Sequence, residues 1–130
     1  MPLRILLVED DPASLEFMSV VLASQNLEVR AVTDGQQAAA LIAAQRFDGI
    51  FLDLQTPSLD GLELLRLVRQ SPLNRASPVA IITGCEDRDT MDRVFAEKAT
   101  FFLHKPIGRA RLLALLRTAL GQMQQHGRTE

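Results

Sequence analysis

Five short apolar runs recur along the chain, and a stretch with helical spacing follows each one. Residues 3–8 (LRILLV), 27–32 (LEVRAV), 49–54 (GIFLDL), 78–83 (PVAIIT) and 100–104 (TFFLH) have the length and the branched or aromatic content of strands. The intervening segments 12–25, 36–46, 59–70, 87–98 and 109–121 read as helices. The first opens with Pro12, favourable in a first turn, and sets Leu15, Met18 and Leu22 on one face. The second is Ala-rich and led by Asp34-Gly35; the third carries Leu62, Leu65 and the Leu64/Val68 pair. The fourth carries Met91, Val94 and Phe95, and the fifth a broad leucine set, Leu112, Leu113, Leu115, Leu116 and Leu120. All six prolines fall at the start of the chain, at helix starts or in connections, where the ring does least damage. Regular strand–helix alternation requires βαβ crossovers, and so a parallel sheet covered on both faces. The expected fold is α/β, a doubly wound (βα)5 three-layer sandwich with a five-stranded parallel sheet in the order 2-1-3-4-5.

A chain of 130 residues fits one domain with an unstapled core. The expected folded unit is 1–122, followed by a disordered polar tail, 123–130. Apolar residues make up 47% and charged residues 23%, ordinary for a soluble globular protein. A net charge of −2 gives no broad electrostatic case for direct DNA binding or an anionic membrane. No uncharged apolar run approaches the roughly 20 residues that span a bilayer, so no membrane insertion is expected. The opening MPLRILLVEDD meets acids too soon for a signal peptide, and the single Cys85 excludes a disulfide framework. A reducing cytoplasm is the expected setting.

In a sheet of this kind ligands bind beyond the carboxyl ends of the strands. The first strand ends in Glu9-Asp10-Asp11, the third in Asp53, the fourth in Thr83-Gly84 and the fifth in His104-Lys105-Pro106. With strands 1 and 3 adjacent, two groups of carboxylates converge on one crevice, and such like charges need an offsetting cation. All-oxygen ligands favour Mg²⁺, with Mn²⁺ as the alternative, and no Cys/His set suits zinc. Lys105 brings a further positive charge and Thr83 a hydroxyl donor. A carboxylate, a cation site, a hydroxyl and a lysine together suit phosphoryl transfer. Asp53 is the candidate nucleophile, Lys105 and Thr83 would hold phosphoryl oxygens, and Gln55 offers a main-chain carbonyl to the metal. No Gly-rich phosphate loop is present, so the phosphoryl group must come from a separate donor.

Four motifs in this order, ILLVEDD, IFLDLQTPSLDG, AIITG and FFLHKP, make the chain resemble the response-regulator receiver domain of two-component signalling, over about residues 3–121. The resemblance implies that Asp53 is the phosphoacceptor, Asp10 a direct metal ligand and Glu9 the acid that reaches the metal through water. It implies the Gln55 carbonyl as a further metal ligand, Thr83 as the switch hydroxyl and Lys105 as the family's lysine, often followed by a cis peptide bond. Phe102 matches the switch aromatic. The implied donor is a histidine kinase or phosphotransfer protein. The implied output is a changed surface of helix 4, strand 5 and helix 5, read by a downstream protein or partner domain. The sequence departs from the family at Thr56, where methionine is common, and at Lys98, where glycine is common. Cys85 and Gln55 occupy positions that flank the attacking water.

Plainer readings stand beside these. Asp53 suits a turn acid, Glu9 and Asp10 suit helix caps, Thr83 a strand end, Lys105 a solvated surface and Phe102 ordinary core. Asp11 is expected to cap the first helix, Asp60-Gly61 to start the third, Cys85 to be an inert small side chain, and His104 and His126 to be exposed. The broad leucine set of helix 5 fits either deep burial or a homodimer or partner surface. Three function classes remain: a phosphorylated signalling domain that is not an enzyme in its own right, a haloacid-dehalogenase-type phosphatase, and a degenerate binding module. The phosphatase would need a second acid where Gln55 stands, and the intact acids, Thr83 and Lys105 argue against degeneracy.

Overall fold

The computed structural model describes residues 2–84 and 87–128, with side chains as far as Met123. Cys85, the side chain of His126 and the end of the expected tail lie outside the described residues. Strands β1 (Arg4–Val8), β2 (Glu28–Val32), β3 (Gly49–Asp53), β4 (Val79–Thr83) and β5 (Phe101–His104) alternate with helices α1 (Pro12–Ser24), α2 (Gly35–Ala44), α3 (Gly61–Gln70), α4 (Arg88–Ala96) and α5 (Arg109–Arg128). The strands form one parallel sheet in the order β2-β1-β3-β4-β5, as expected.

Period-2 alternation of side chains divides the core in two. Leu6, Val8, Ile50, Leu52 and Ile81 face one cluster with Ile42, Leu64, Leu65, Val68 and Val94, so α2, α3 and α4 cover that side. Ile5, Leu7, Phe51, Ile82 and Leu103 face the other, with Met18, Leu22, Leu112 and Leu116 of α1 and α5. Adjacent Phe101 and Phe102 go to opposite sides for the same reason.

Aspartates set the helix starts. Asp11, Asp34, Asp60 and Asp87 are N-caps whose carboxylates accept backbone N–H bonds from Ser14, Gln36, Glu63 and Thr90. Each cap satisfies a donor that the helix itself cannot, worth about 1 kcal/mol. Asp60 and Asp87 therefore place α3 and α4 one or two residues later than helical spacing alone suggests.

Three expectations need correction. The fifth helix does not stop at 121: it runs to Arg128, and Met123 is buried. Gly49 makes room for it, since a Cβ there would lie 2.5 Å from the Met123 methyl carbon. Burying that side chain contributes roughly 1.5–3 kcal/mol and draws the helix through its polar sequence. In α4, Val94 alone is fully buried, and Phe95 is 48% exposed, because neighbouring helical positions point about 100° apart. His104 is half-buried, not exposed: it shares a strand face with Phe102, and the two rings lie 5.0 Å apart.

At the amino ends of the strands, the connections are tied by polar side chains. Asn74, fully buried, accepts from the Phe47 N–H at 2.7 Å and donates to the Ile42 and Gln45 carbonyls, each at 2.8 Å. Ser77 donates to the Phe47 carbonyl at 2.6 Å. Arg69 donates to the carbonyls of Arg75, Ser77 and Lys98. Lys98 has φ 68°, a left-handed conformation that glycine adopts at less cost than lysine. Its N–H donates to the Phe95 carbonyl and that of Ala99 to the Val94 carbonyl, the paired bonds of a Schellman close. The two Arg69 bonds to the Lys98 carbonyl hold a lysine where glycine costs less.

Candidate functional site

Register builds the site. Val8 pairs with Leu52, so the next residues, Glu9 and Asp53, stand side by side at the carboxyl ends of β1 and β3. Glu9 is 0% exposed, Asp53 3% and Thr83, at the end of β4, 2%. Asp10 is exposed at the mouth. Carboxylate oxygens of Glu9, Asp10 and Asp53 lie within 4.8 Å of one another. From the end of β5, Lys105 brings its Nζ to 2.8 Å from Asp53 Oδ2 and 3.0 Å from Glu9 Oε1. The Lys105–Pro106 bond is cis, as the resemblance implies. The Lys105 N–H donates to the Thr83 carbonyl at 2.8 Å, which ties the lysine to the end of β4.

Each acid is aimed by backbone. Gln55 N–H donates to Asp53 Oδ1 at 2.9 Å, and Asp11 N–H to Glu9 Oε1 at 3.0 Å. Asp11 thus caps α1, as expected, and also supports Glu9. Thr56 donates its hydroxyl to the Leu59 carbonyl at 2.5 Å, closing the turn after Asp53. That is the structural use of the residue that departs from the family's methionine. Beside Thr83, a cleft of about 240 Å³ opens between α3 and α4, lined by Gln55, Asp60, Thr90 and Arg93 among others. Thr90 and Arg93 of α4 were not singled out by the sequence; a charged helical face carries no signal of which residue meets a cleft.

The electrostatics favour a cation. Burial pushes the Glu9 carboxyl up to about 7, with its contact to Asp53 adding to the rise. Burial pushes the Lys105 ammonium down, but its hydrogen bonds to Asp53 and Glu9 outweigh that, and the net direction is up. Glu9 Oε2 is buried with no hydrogen-bond partner. A buried carboxylate oxygen left bare costs free energy until something positive meets it. Three convergent carboxylates, one with an open oxygen, fit a hard divalent cation such as Mg²⁺. The structure therefore brings together Glu9, Asp10, Asp53, Gln55, Thr83 and Lys105. Phe102 stands apart, half-buried, between His104 and Phe95, whose ring centroid is 5.9 Å away.

A doubly wound parallel sheet with buried acids and a lysine at its carboxyl ends defines a class, the flavodoxin-like folds with an acidic crevice. Within it, the model of the response regulator receiver domain matches residues 5–117, and the chain belongs to that family. The cell cycle transcriptional regulator CtrA of Caulobacter vibrioides is 28% identical over 98% of the chain and 54% of that protein. The transcriptional regulatory protein TrcR of Mycobacterium tuberculosis is 36% identical over 92% of the chain and 46% of that protein. The chain thus spans about half the length of these relatives. The crystal structure of the receiver domain of a sensor histidine kinase from Pseudomonas aeruginosa is 30% identical, with a TM-score of 0.84, covering 93% of this chain and 99% of that one. That structure has a magnesium ion coordinated in its active-site cleft.

Proposed function

We propose that Asp53 accepts a phosphoryl group from a histidine kinase or phosphotransfer protein, and that the modified domain changes its protein contacts. The observation that carries this reading is the mounting of Asp53. It is nearly buried, one oxygen lies on the Lys105 ammonium and the other on the Gln55 amide, and Glu9, which has one bare oxygen, stands beside it.

Glu9, Asp10, Asp53 and the Gln55 main-chain carbonyl would hold a Mg²⁺ ion, or Mn²⁺ in its place. Bound there, the ion supplies neutralisation of charge on the phosphoryl oxygens. A carboxylate oxygen of Asp53 attacks phosphorus, the bond from phosphorus to the donor nitrogen breaks, and the donor imidazole leaves with the electron pair. Lys105 binds a phosphoryl oxygen, exchanging part of its pairing with Asp53 for it. Thr83 donates its hydroxyl to another. Phe102 responds to the movement of Thr83, and the surface of α4, β5 and α5 takes a new partner, a downstream protein, a further domain or a second copy. Half-buried Leu113, Leu115 and Leu120 on α5 and exposed Phe95 on α4 give that surface apolar content. The chain acts as a signalling domain that performs its own phosphoryl transfer, not as an enzyme with a separate substrate.

Incubation with acetyl phosphate and Mg²⁺ is expected to add one phosphoryl group by intact mass, and Asp53→Asn to abolish it. No adduct on the wild type, or an unchanged adduct on the variant, would sink the reading.

A further inference from the structure

We propose that the amino end of α2 is a positioning element for the acidic site, acting through the turn that carries Gln55. This rests on the reading that the Gln55 carbonyl is a metal ligand.

The turn between β3 and α3 is held from outside by residues more than 20 positions earlier. The Gly35 N–H is one of the donors a helix start leaves free, and it donates to the Pro57 carbonyl at 3.0 Å. The Ser58 hydroxyl bonds to Asp34 Oδ1, the same carboxylate oxygen that caps α2 through the Gln36 N–H. Contact is so close that no side chain fits at position 35: a Cβ there would lie 2.2 Å from the Leu59 carbonyl oxygen and 2.7 Å from the Leu59 Cβ. Within the turn, Thr56 bonds to the Leu59 carbonyl, and Ser58 takes φ 67°, a left-handed conformation that costs a non-glycine residue free energy. Such a conformation persists only where the surroundings over-determine it, and the bonds to Asp34 and Gly35 do so. At the near end of the same turn, Gln55 N–H holds Asp53 Oδ1.

Mechanically, Asp53 and Gln55 are fixed at one side by β3 and at the other by α2. A helix that contributes no atom to the acidic site thereby sets where the Gln55 peptide lies. Asp34-Gly35 and Thr56-Pro57-Ser58 work as one unit, and the departure at Thr56 belongs to it.

The test compares Mg²⁺ affinity, by titration calorimetry on the full chain, with hydrogen exchange at the Gln55 amide and with melting temperature. Ser58→Ala removes the bond to Asp34 but leaves the α2 cap. It is expected to weaken Mg²⁺ binding about tenfold, the lower end of what outer supports of metal ligands contribute. It should speed Gln55 exchange while leaving melting of the metal-free protein nearly unchanged. Gly35→Ala must push the turn away and is expected to weaken binding more. Thr56→Val should behave like Ser58→Ala, and Thr56→Ser, which keeps the hydroxyl, should restore affinity. Wild-type affinity and Gln55 exchange in Ser58→Ala and Thr56→Val would overturn the positioning role. A wild type that binds no Mg²⁺ would overturn instead the reading on which it rests.

Discussion

The two ends of the sheet bury polar side chains for opposite purposes. Among the described residues six polar or charged side chains are buried, three at the carboxyl ends of the strands (Glu9, Asp53, Thr83) and three near the amino ends (Ser71, Asn74, Ser77). At the amino ends the groups are neutral, and their bonds go to the backbone of neighbouring connections: Asn74 to three main-chain groups, Ser77 to Phe47, Ser71 to Ile42. At the carboxyl ends two of the three groups are acids, and one oxygen of Glu9 has no partner. Satisfied neutral groups make a joint. Crowded acids with an open oxygen are a cost to the fold, which the proposed cation and phosphoryl group would offset. The same sheet therefore separates stability from chemistry by direction.

The comparison breaks if the joint proves dispensable. Asn74→Ala strands the Phe47 N–H and the Gln45 carbonyl, and each dry group costs roughly 1–3 kcal/mol. The expected loss is about 3 kcal/mol by urea denaturation, with phosphoryl uptake by the folded protein unchanged. A loss of uptake at full stability would reverse the assignment of the two ends.

The acidic end makes a prediction of opposite sign. Between about 4.5 and about 7, folded metal-free Glu9 keeps a proton that the unfolded chain has released. The native state then binds more protons than the unfolded one, so stability falls as pH rises through that window. Glu9→Gln removes this slope. Stability curves of wild type and variant, measured without divalent ions, should converge near the low end of the window and separate toward its upper end, the variant being the more stable. Parallel curves would show that Glu9 carries no such burden.

The smallest effect belongs to the amino end. Lys98→Gly relieves a left-handed lysine at the cost of glycine's extra freedom when unfolded, and is expected to stabilise by about 0.5 kcal/mol. A destabilised variant would mean that the lysine side chain earns its place by packing.

The carboxyl end was legible in the sequence, and the amino end was not. Alternation gives a parallel sheet, five strands suit the doubly wound order 2-1-3-4-5, that order places strands 1 and 3 together, and the sheet puts Glu9, Asp53, Thr83 and Lys105 at one edge. The steps use strong periods and one of the few orders open to a doubly wound sheet. The joint lies in residues 69–77, RQSPLNRAS, whose composition is that of any solvated connection. Nothing in such a stretch distinguishes an asparagine that is fully buried from one in water. The extension of α5 was hidden likewise: GQMQQHGR is polar, and the signal lay in one methionine and in a glycine 74 positions earlier. Phe95 misled because helical spacing names a face but not how wide a stripe the sheet can cover.

The central claim is that the carboxyl end is built to place a covalent phosphoryl group on Asp53. The direct measurement is to treat the protein with acetyl phosphate and Mg²⁺, reduce the acyl phosphate with borohydride, and map the product by tandem mass spectrometry. The account predicts homoserine at position 53 and nowhere else. Reduction at another acid, or none at all, would contradict it.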